Sequence, residues 1–267
     1  MKKKIVALAL VFVMLAVAIT SATLAYLTDN DSAVNTFTVG HVKIDLIEQQ
    51  RGENGLEDFE QSKKLLPIVG SAQGEKDEYG MPVARNYVDK MVTVKNTGTE
   101  DAYIRVYFAI PSALDDGYET FNAGKNVLHF NFGNKEVNGK WTTTEGTDWI
   151  WTHEGKWNYF ETTIDGVAYN VYFADYNTKV AAGETTSQAL SGVYLDKSVN
   201  FTTDEQGNLA CEAFGETVTG FVWENGVKFP VFAVACQAEG FANASEAMKE
   251  AYGATFNPWG TEATNWQ

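Results

Sequence analysis

The sequence predicts an all-β protein, an antiparallel β-sandwich with long insertions and one short helix near the C-terminus. Apolar and polar residues alternate in many short runs, which is the period of a half-buried strand. Glycine-containing turns separate several of these runs, and the chain holds 23 glycines and 13% aromatic residues. Short strands with such turns are typical of a sandwich, whereas alternating strand and helix patterns would indicate a parallel sheet.

The clearest strands flank a turn at residues 96–99, Asn-Thr-Gly-Thr. The residues that share one face of each strand are Val88, Lys90, Val92 and Val94 before the turn and Ile104, Val106, Phe108 and Ile110 after it. Two alternating runs around an Asn/Gly turn predict an antiparallel pair. Val92 and Val106 are then inside, and Thr93 is outside.

Further strands are expected at short spacing along the rest of the chain. The segments are 42–46, 127–132, 149–151, 158–164, 169–174, 189–195, 199–203, 219–223 and 231–237. One helix is predicted because Ala244, Ala247, Met248, Ala251 and Tyr252 fall on one helical face. Asn243 is a suitable N-cap with Glu246 three residues later, and Gly253 is a suitable stop.

The N-terminus has the order of a secretory signal peptide. Three lysines precede an apolar run at residues 5–19, and small residues follow it. Thr23 and Ala25 are small enough for the −3 and −1 subsites of a signal peptidase, which predicts a signal peptide over 1–25 and a mature start at Tyr26. An uncleaved membrane anchor is the alternative, because residues 5–28 are uncharged and long enough to span a bilayer.

By length, the mature chain, residues 26–267, could form one large β domain or two small ones. We expect a single secreted β-sandwich domain with a polar insertion at about 49–86. Cleavage leaves 242 of the 267 residues and removes three lysines, which lowers the formal net charge from −15 to −18. This acidity excludes nucleic acid as a partner and disfavours anionic membranes. No stable membrane span is expected after cleavage.

The sequence offers no catalytic or metal site, no cofactor fingerprint and therefore no enzyme activity. Its three histidines are His41, His129 and His153. The pair at 153–154 resembles the start of a zinc-protease motif, but residue 157 is Trp where the second histidine is needed. The clusters at 29–31 and 115–116 are expected to be solvated turns, and His129 is expected to be a structural histidine.

Two further features leave alternatives open. Trp149 and Trp151 share a strand face, and an exposed pair could stack sugar rings, while a buried pair would fill the core. Cys211 and Cys236 are the only cysteines; in an oxidising compartment they form either one disulfide or two separate buried thiols.

The leader region resembles a known pattern. Residues 22–29, Ala-Thr-Leu-Ala-Tyr-Leu-Thr-Asp, and 35–40, Asn-Thr-Phe-Thr-Val-Gly, are similar to the TasA/camelysin group of exported proteins from Gram-positive bacteria, which a SipW-type signal peptidase processes. Leu27 stands where that group usually has Phe. Stretches at 88–106, 180–186 and 234–241 resemble less-characterised members of the same set.

The resemblance implies a jelly-roll sandwich that is secreted and remains extracellular, at the cell surface or in a biofilm matrix. It implies a non-enzymatic, fibre-forming structural subunit, with self-association or other matrix and surface components as partners. A strand passed to the next subunit would come from the N-terminal segment, with Thr36, Phe37 and Val39 as candidate donor residues. The alternatives are a secreted glycan-binding module and, more distantly, a camelysin-like metalloprotease, which the scarcity of histidine does not favour.

The signal-peptide assignment predicts the mass of the exported protein. In a Gram-positive host with a SipW-type peptidase, the secreted product should lack residues 1–25 and begin at Tyr26, because Thr23 and Ala25 fit the peptidase subsites. Intact-mass spectrometry measures this directly. A full-length product recovered only by membrane extraction would support the uncleaved anchor instead.

Overall fold

The computed structural model of the protein describes residues 28–31, 42–117 and 125–267. Within them the strands are β1 (Thr28–Asp31), β2 (Ile44–Gly52), β3 (Gly55–Asp58), β4 (Val88–Asn96), β5 (Ala102–Pro111), β6 (Leu128–Phe132), β7 (Asn134–Val137), β8 (Lys140–Thr143), β9 (Trp149–Ile150), β10 (Thr152–His153), β11 (Lys156–Trp157), β12 (Tyr159–Ile164), β13 (Val167–Tyr176), β14 (Leu190–Leu195), β15 (Asn200–Thr203), β16 (Leu209–Ala213), β17 (Glu216–Thr217), β18 (Val231–Gln237) and β19 (Ala263–Thr264). One α-helix, α1 (Ala244–Tyr252), and the 3-10 helices Ser112–Leu114 and Trp223–Asn225 complete the described structure.

Two antiparallel sheets form the sandwich and confirm the predicted fold class. The larger has seven strands in the order β1-β18-β5-β13-β12-β19, with β9 also pairing with β13. The smaller has five strands in the order β3-β2-β4-β14-β6. The apolar faces of the two sheets meet in the main core, where Val92 and Val94 of β4 and Ile104 and Val106 of β5 are all fully buried.

A third layer covers the outer face of the seven-stranded sheet. Asn243 caps the start of helix α1, as predicted: its side-chain oxygen accepts a hydrogen bond from the Glu246 amide at 2.9 Å. Gly253 caps the end of the helix, also as predicted. Its buried residues Ala247 and Met248 pack with the outward-facing side chains of β5, β13 and β18. The C-terminal segment extends this cover, so every residue of β5 is buried.

The connection between β4 and β5 differs from the prediction. These strands do not pair with each other: β4 lies between β2 and β14, and β5 lies between β18 and β13. Residues 96–101 cross from one sheet to the other, and the Asn96 side chain holds the crossing by donating to the carbonyls of Glu100 and Val180. Both strands have one strongly apolar face, and placing those faces opposite each other buries both.

The predicted polar insertion at about 49–86 begins as regular structure. β2 continues to Gly52 and β3 returns beside it, so residues 49–58 belong to the five-stranded sheet. The rest of the insertion contributes Ile68, Ala72 and Met81 to a small cluster, which they form with Tyr87 and with Met91 of β4. Arg51 fixes this segment by binding Asp77 at 2.6 Å and Asp89 through two nitrogens at 2.6 and 2.7 Å.

Most of the other predicted strands are present with shifted ends, and one is absent. Hairpins turn at the Asn-Gly, Glu-Gly and Asp-Gly pairs of residues 138–139, 154–155 and 165–166, where both residues of each pair have positive φ. The predicted strand at 219–223 is not formed. Trp223 instead starts a 3-10 helix and inserts its ring beside Phe201 and Phe221, because burying the large ring outweighs the strand propensity of the segment.

The two-sheet core predicts how single charges affect stability. Val92→Asp and Val106→Asp should each unfold the protein, because both valines are fully buried and an unpaired buried carboxylate costs several kcal/mol, comparable to the stability of a domain, roughly 5–15 kcal/mol. Thr93→Asp should fold, because Thr93 is on the opposite, half-exposed face of β4. Circular dichroism melting curves test this. Equal melting temperatures for the three variants would contradict the assignment of faces.

Candidate assembly edge

The seven-stranded sheet ends at β1, which pairs with β18 in antiparallel register from Thr28 opposite Cys236 to Asp31 opposite Ala233. On its other side β18 pairs with β5. Hydrogen bonds from the Ala109 amide to the Pro230 carbonyl and from the Ala238 amide to the Asp101 carbonyl show which residues of β18 bond to β5. Even-numbered residues of β18 therefore direct their backbone groups to β5, and odd-numbered residues direct theirs to β1.

The described residues of β1 pair with the central part of this edge. β18 has seven residues, but β1 pairs with only four of them, and among the described residues none pairs with Val231 or Gln237 on the side of β1. Both positions are odd, so their N–H and C=O groups point to the side of β1. The side-chain oxygen of Gln237 is also buried without a hydrogen-bond partner in the described part of the chain.

The sequence of β1, Thr-Asp-Asn-Asp, has little intrinsic tendency to form a strand. Its pairing depends on β18, so the sequence of β1 alone does not predict a strand. β1 begins two residues after the predicted mature start at Tyr26. The predicted cleavage residues Thr23, Ala25 and Tyr26 and the candidate donor residues Thr36, Phe37 and Val39 lie outside the described residues.

Two of the other sheet edges are less open to an incoming strand, and β6 forms the remaining edge of the five-stranded sheet. β19 has two residues, and β3 is a four-residue strand that carries the acidic pair Glu57 and Asp58. Short edge strands and charged edge residues both oppose pairing with another chain. The edge at β18 combines a long apolar strand with a polar neighbour, β1, so it is a candidate for contact with another strand.

The structure gives Trp149 and Trp151 core positions and overturns the sugar-platform prediction. Trp149 is 0% exposed and Trp151 is 2% exposed. Trp151 stacks on Phe108 with ring centroids 5.4 Å apart, and the Trp149 ring nitrogen donates to the Ser187 carbonyl at 3.0 Å. Because neither ring has an exposed face, neither can stack a sugar.

The cysteines are two separate buried thiols, so the disulfide alternative is wrong. Cys211 lies in β16 within the main core, whereas Cys236 lies in β18 on the outer face beneath α1. Sγ of Cys236 is 3.9 Å from Sδ of Met248. Burial raises the pKa of Cys211 to about 11 and that of Cys236 to about 12, which keeps both as unreactive thiols.

The described histidines, His129 and His153, do not belong to a metal site. His129 stacks on Tyr194 and its Nε2 is 3.2 Å from Oδ2 of Asp196, and burial lowers its pKa despite that carboxylate. His153 is exposed in the β10–β11 hairpin, and His41 is outside the described residues. Within the described ranges, no group of three or more His, Cys, Asp or Glu side chains is placed to hold a metal ion.

Asp115 was expected in a solvated turn but is buried. Its Oδ2 accepts hydrogen bonds from Asn170 Nδ2 and the Tyr172 hydroxyl, both at 2.8 Å, while its Oδ1 is buried without a partner among the described residues. Burial raises the pKa of this carboxyl, and the nearby charge of Asp116 acts in the same direction, against the hydrogen bonds from Asn170 and Tyr172. Residues 29–31, the other predicted turn, form part of β1.

Comparisons with known proteins found no relative: no family model, no curated protein and no solved structure matches the chain. No helix in the described ranges is long and apolar enough to cross a membrane.

The raised pKa of Asp115 predicts a pH dependence of stability. A carboxyl that holds its proton more tightly in the folded state contributes stability below its unfolded pKa, near 3.9, and loses it as pH rises through the folded pKa. Asp115→Asn removes that titration but keeps an oxygen to accept from Asn170 and Tyr172. The variant should therefore gain stability relative to the wild type as the pH rises above about 4. Urea unfolding at a series of pH values measures the difference, and parallel curves would contradict the prediction.

Proposed function

We propose that this protein is a non-enzymatic extracellular structural subunit that assembles through the β18 edge into a cell-surface or biofilm-matrix fibre. The observation that carries the proposal is the edge position of β1, whose four described residues pair with the central part of the seven-residue strand β18. The signal-peptide pattern and the resemblance to TasA-type proteins support an extracellular location and export by a SipW-type peptidase.

Exchange of the edge strand costs little energy. A backbone hydrogen bond contributes roughly 0.5–1.5 kcal/mol net, and the pairing of Asp29 with Ala235 and of Asp31 with Ala233 supplies the only two hydrogen-bonded residue pairs expected between β1 and β18. A longer strand from another subunit would also reach Val231 and Gln237, whose backbone groups point to the same side of β18. The N-terminal segment of a second copy, with Thr36, Phe37 and Val39, supplies such a strand.

The geometry of exchange favours filaments over closed dimers. Each subunit donates an N-terminal segment once and accepts another at β18 once, so the contact is head-to-tail. It leaves an accepting β18 edge at one end of the assembly and a donor segment at the other. Main-chain pairing gives the affinity, and alternate side chains of the donated strand fit one face. The acidic surface keeps unassembled subunits soluble.

Deletion of residues 26–40 tests the donor segment. The secreted wild-type protein should form filaments, which electron microscopy and light scattering detect, whereas the deletion variant should remain a folded monomer. Because the variant still has the β18 edge, it should accept without donating and shorten wild-type filaments when mixed with them.

A second variant tests the accepting edge separately. Gln237→Pro removes an N–H that points away from β5, so the β5–β18 pairing should persist while a strand longer than β1 loses a hydrogen bond. This variant should also assemble poorly, but through its accepting end. Wild-type protein that stays monomeric at high concentration from acidic to neutral pH would overturn the proposed function.

A further inference from the structure

A groove with a volume of about 590 Å³ opens at one end of the main core, between the loop that follows β3 and the loop that precedes β18. Its volume is within the range of small-molecule sites, roughly 300–1,000 Å³. The residues on which the inference rests are Lys63, Lys90, Lys228, Val88, Leu128 and Val193. None of them is in β1 or β18, so the groove is distinct from the proposed assembly edge.

The floor of the groove is the inner face of the five-stranded sheet. Val88 of β4, Val193 of β14 and Leu128 of β6 line it, and all three pack in the main core. These strands are neighbours in the order β4-β14-β6. Since adjacent strands are ~4.8 Å apart, the floor is about 10 Å across, which suits an elongated apolar ligand that lies across the strands.

Both walls add apolar surface that is only partly covered. Phe59 and Leu65 line the groove from the first loop, and Val227 and Phe229 line it from the second. All four are half-buried. Phe229 joins its wall to the core, because its ring contacts Phe108 with centroids 6.0 Å apart. An apolar chain between the walls would remove surface of both loops from water, which favours its binding.

The groove is basic, although the chain as a whole has a formal net charge of −15. The described residues that line it include three lysines, Lys63, Lys90 and Lys228, and no aspartate or glutamate. Lys90 lies on the inner face of β4 with Val92 and is buried there, with its ammonium 4.4 Å from the centre of the Phe59 ring. A cation on the core face of a strand gives the groove a charged group beside its apolar floor.

Two of the three lysines already have carboxylate partners from outside the groove lining. Lys90 pairs with Glu48 at 2.5 Å, and Lys63 pairs with Glu60 at 3.1 Å. Lys228 is exposed and makes no ion pair with a described residue. The nearest carboxylate in sequence, that of Glu224, accepts a hydrogen bond from the backbone amide of residue 209. The groove therefore has one uncompensated positive charge.

We propose that this groove binds the anion of a medium-chain fatty acid, with the alkyl chain across the floor and the carboxylate at Lys228. One negative charge matches the one uncompensated lysine, whereas the acidic chain would repel a ligand with several negative charges. The exposed position of Lys228 leaves the carboxylate in contact with water, so binding does not require its full desolvation. The inference goes beyond the structural role and does not depend on filament formation.

Titration calorimetry of the secreted protein with octanoate, octanol and octyltrimethylammonium separates the effect of charge from that of the apolar chain. Octanoate should bind with a Kd of about 1 mM or lower, and the neutral and cationic ligands at least about fivefold more weakly. From hexanoate to decanoate, each added CH₂ should tighten binding by up to about fourfold, equivalent to about 0.8 kcal/mol. Amide chemical-shift changes should concentrate at residues 59–65 and 225–230.

A pair of matched variants assigns the binding to this groove. Lys228→Glu reverses the uncompensated charge at an exposed position, so the variant should fold like the wild type and bind octanoate at least about fivefold more weakly. Lys156→Glu makes the same change at an exposed lysine outside the groove and should bind like the wild type.

Three results would overturn the proposal. They are the absence of carboxylate binding up to about 10 mM, equal or tighter binding of octanol or octyltrimethylammonium, and unchanged octanoate binding by Lys228→Glu. Retention of the wild type, but not of Lys228→Glu, on phosphatidylglycerol vesicles would assign the groove to a membrane surface and would also overturn it.

Discussion

Strand β5 is covered on both of its faces, and the layered arrangement of the protein follows from that. Ile104, Val106 and Phe108 face the five-stranded sheet, while Tyr103 and Tyr107 face α1 and the C-terminal segment. A two-layer sandwich would leave the tyrosine face in water. The helix and the aromatic side chains after it, including Phe256 and Trp259 against Tyr107, supply the third layer that removes this face from solvent.

Two-sided burial also explains the charged pair within the sheet. Arg105 shares the outer face of β5 with the tyrosines, so covering that face buries a guanidinium, which is costly without a partner. Asp175 lies opposite it on β13 and accepts two hydrogen bonds. Burial alone would lower the pKa of Arg105, but Asp175 outweighs it and raises the pKa, so the pair stays ionised.

The sequence by itself determined the local structure. Alternation of apolar residues placed Val92 and Val106 inside, turn residues such as Asn138 and Gly139 placed hairpins, and Asn243 with Gly253 bounded the helix, because each of these signals acts over a few residues. Tertiary structure alone decided how those elements combine. The apolar faces of β4 and β5 fit a local hairpin or a crossing between sheets equally well, and only the partners β2, β14, β18 and β13 select the crossing.

The candidate sites depended on tertiary structure even more strongly. Nothing near Trp149 or Trp151 in the sequence shows whether the rings are exposed, since that depends on Phe108 and Phe130, which are distant in the chain. The pairing of Arg105 with Asp175 also joins residues far apart, and its only sequence signal is a charge within an apolar strand. β1 has no strand signal at all, because its backbone is ordered by β18 across more than 200 residues of intervening chain. Short-range patterns are encoded locally, whereas edges, cavities and burial arise from contacts between distant segments, which one sequence does not specify.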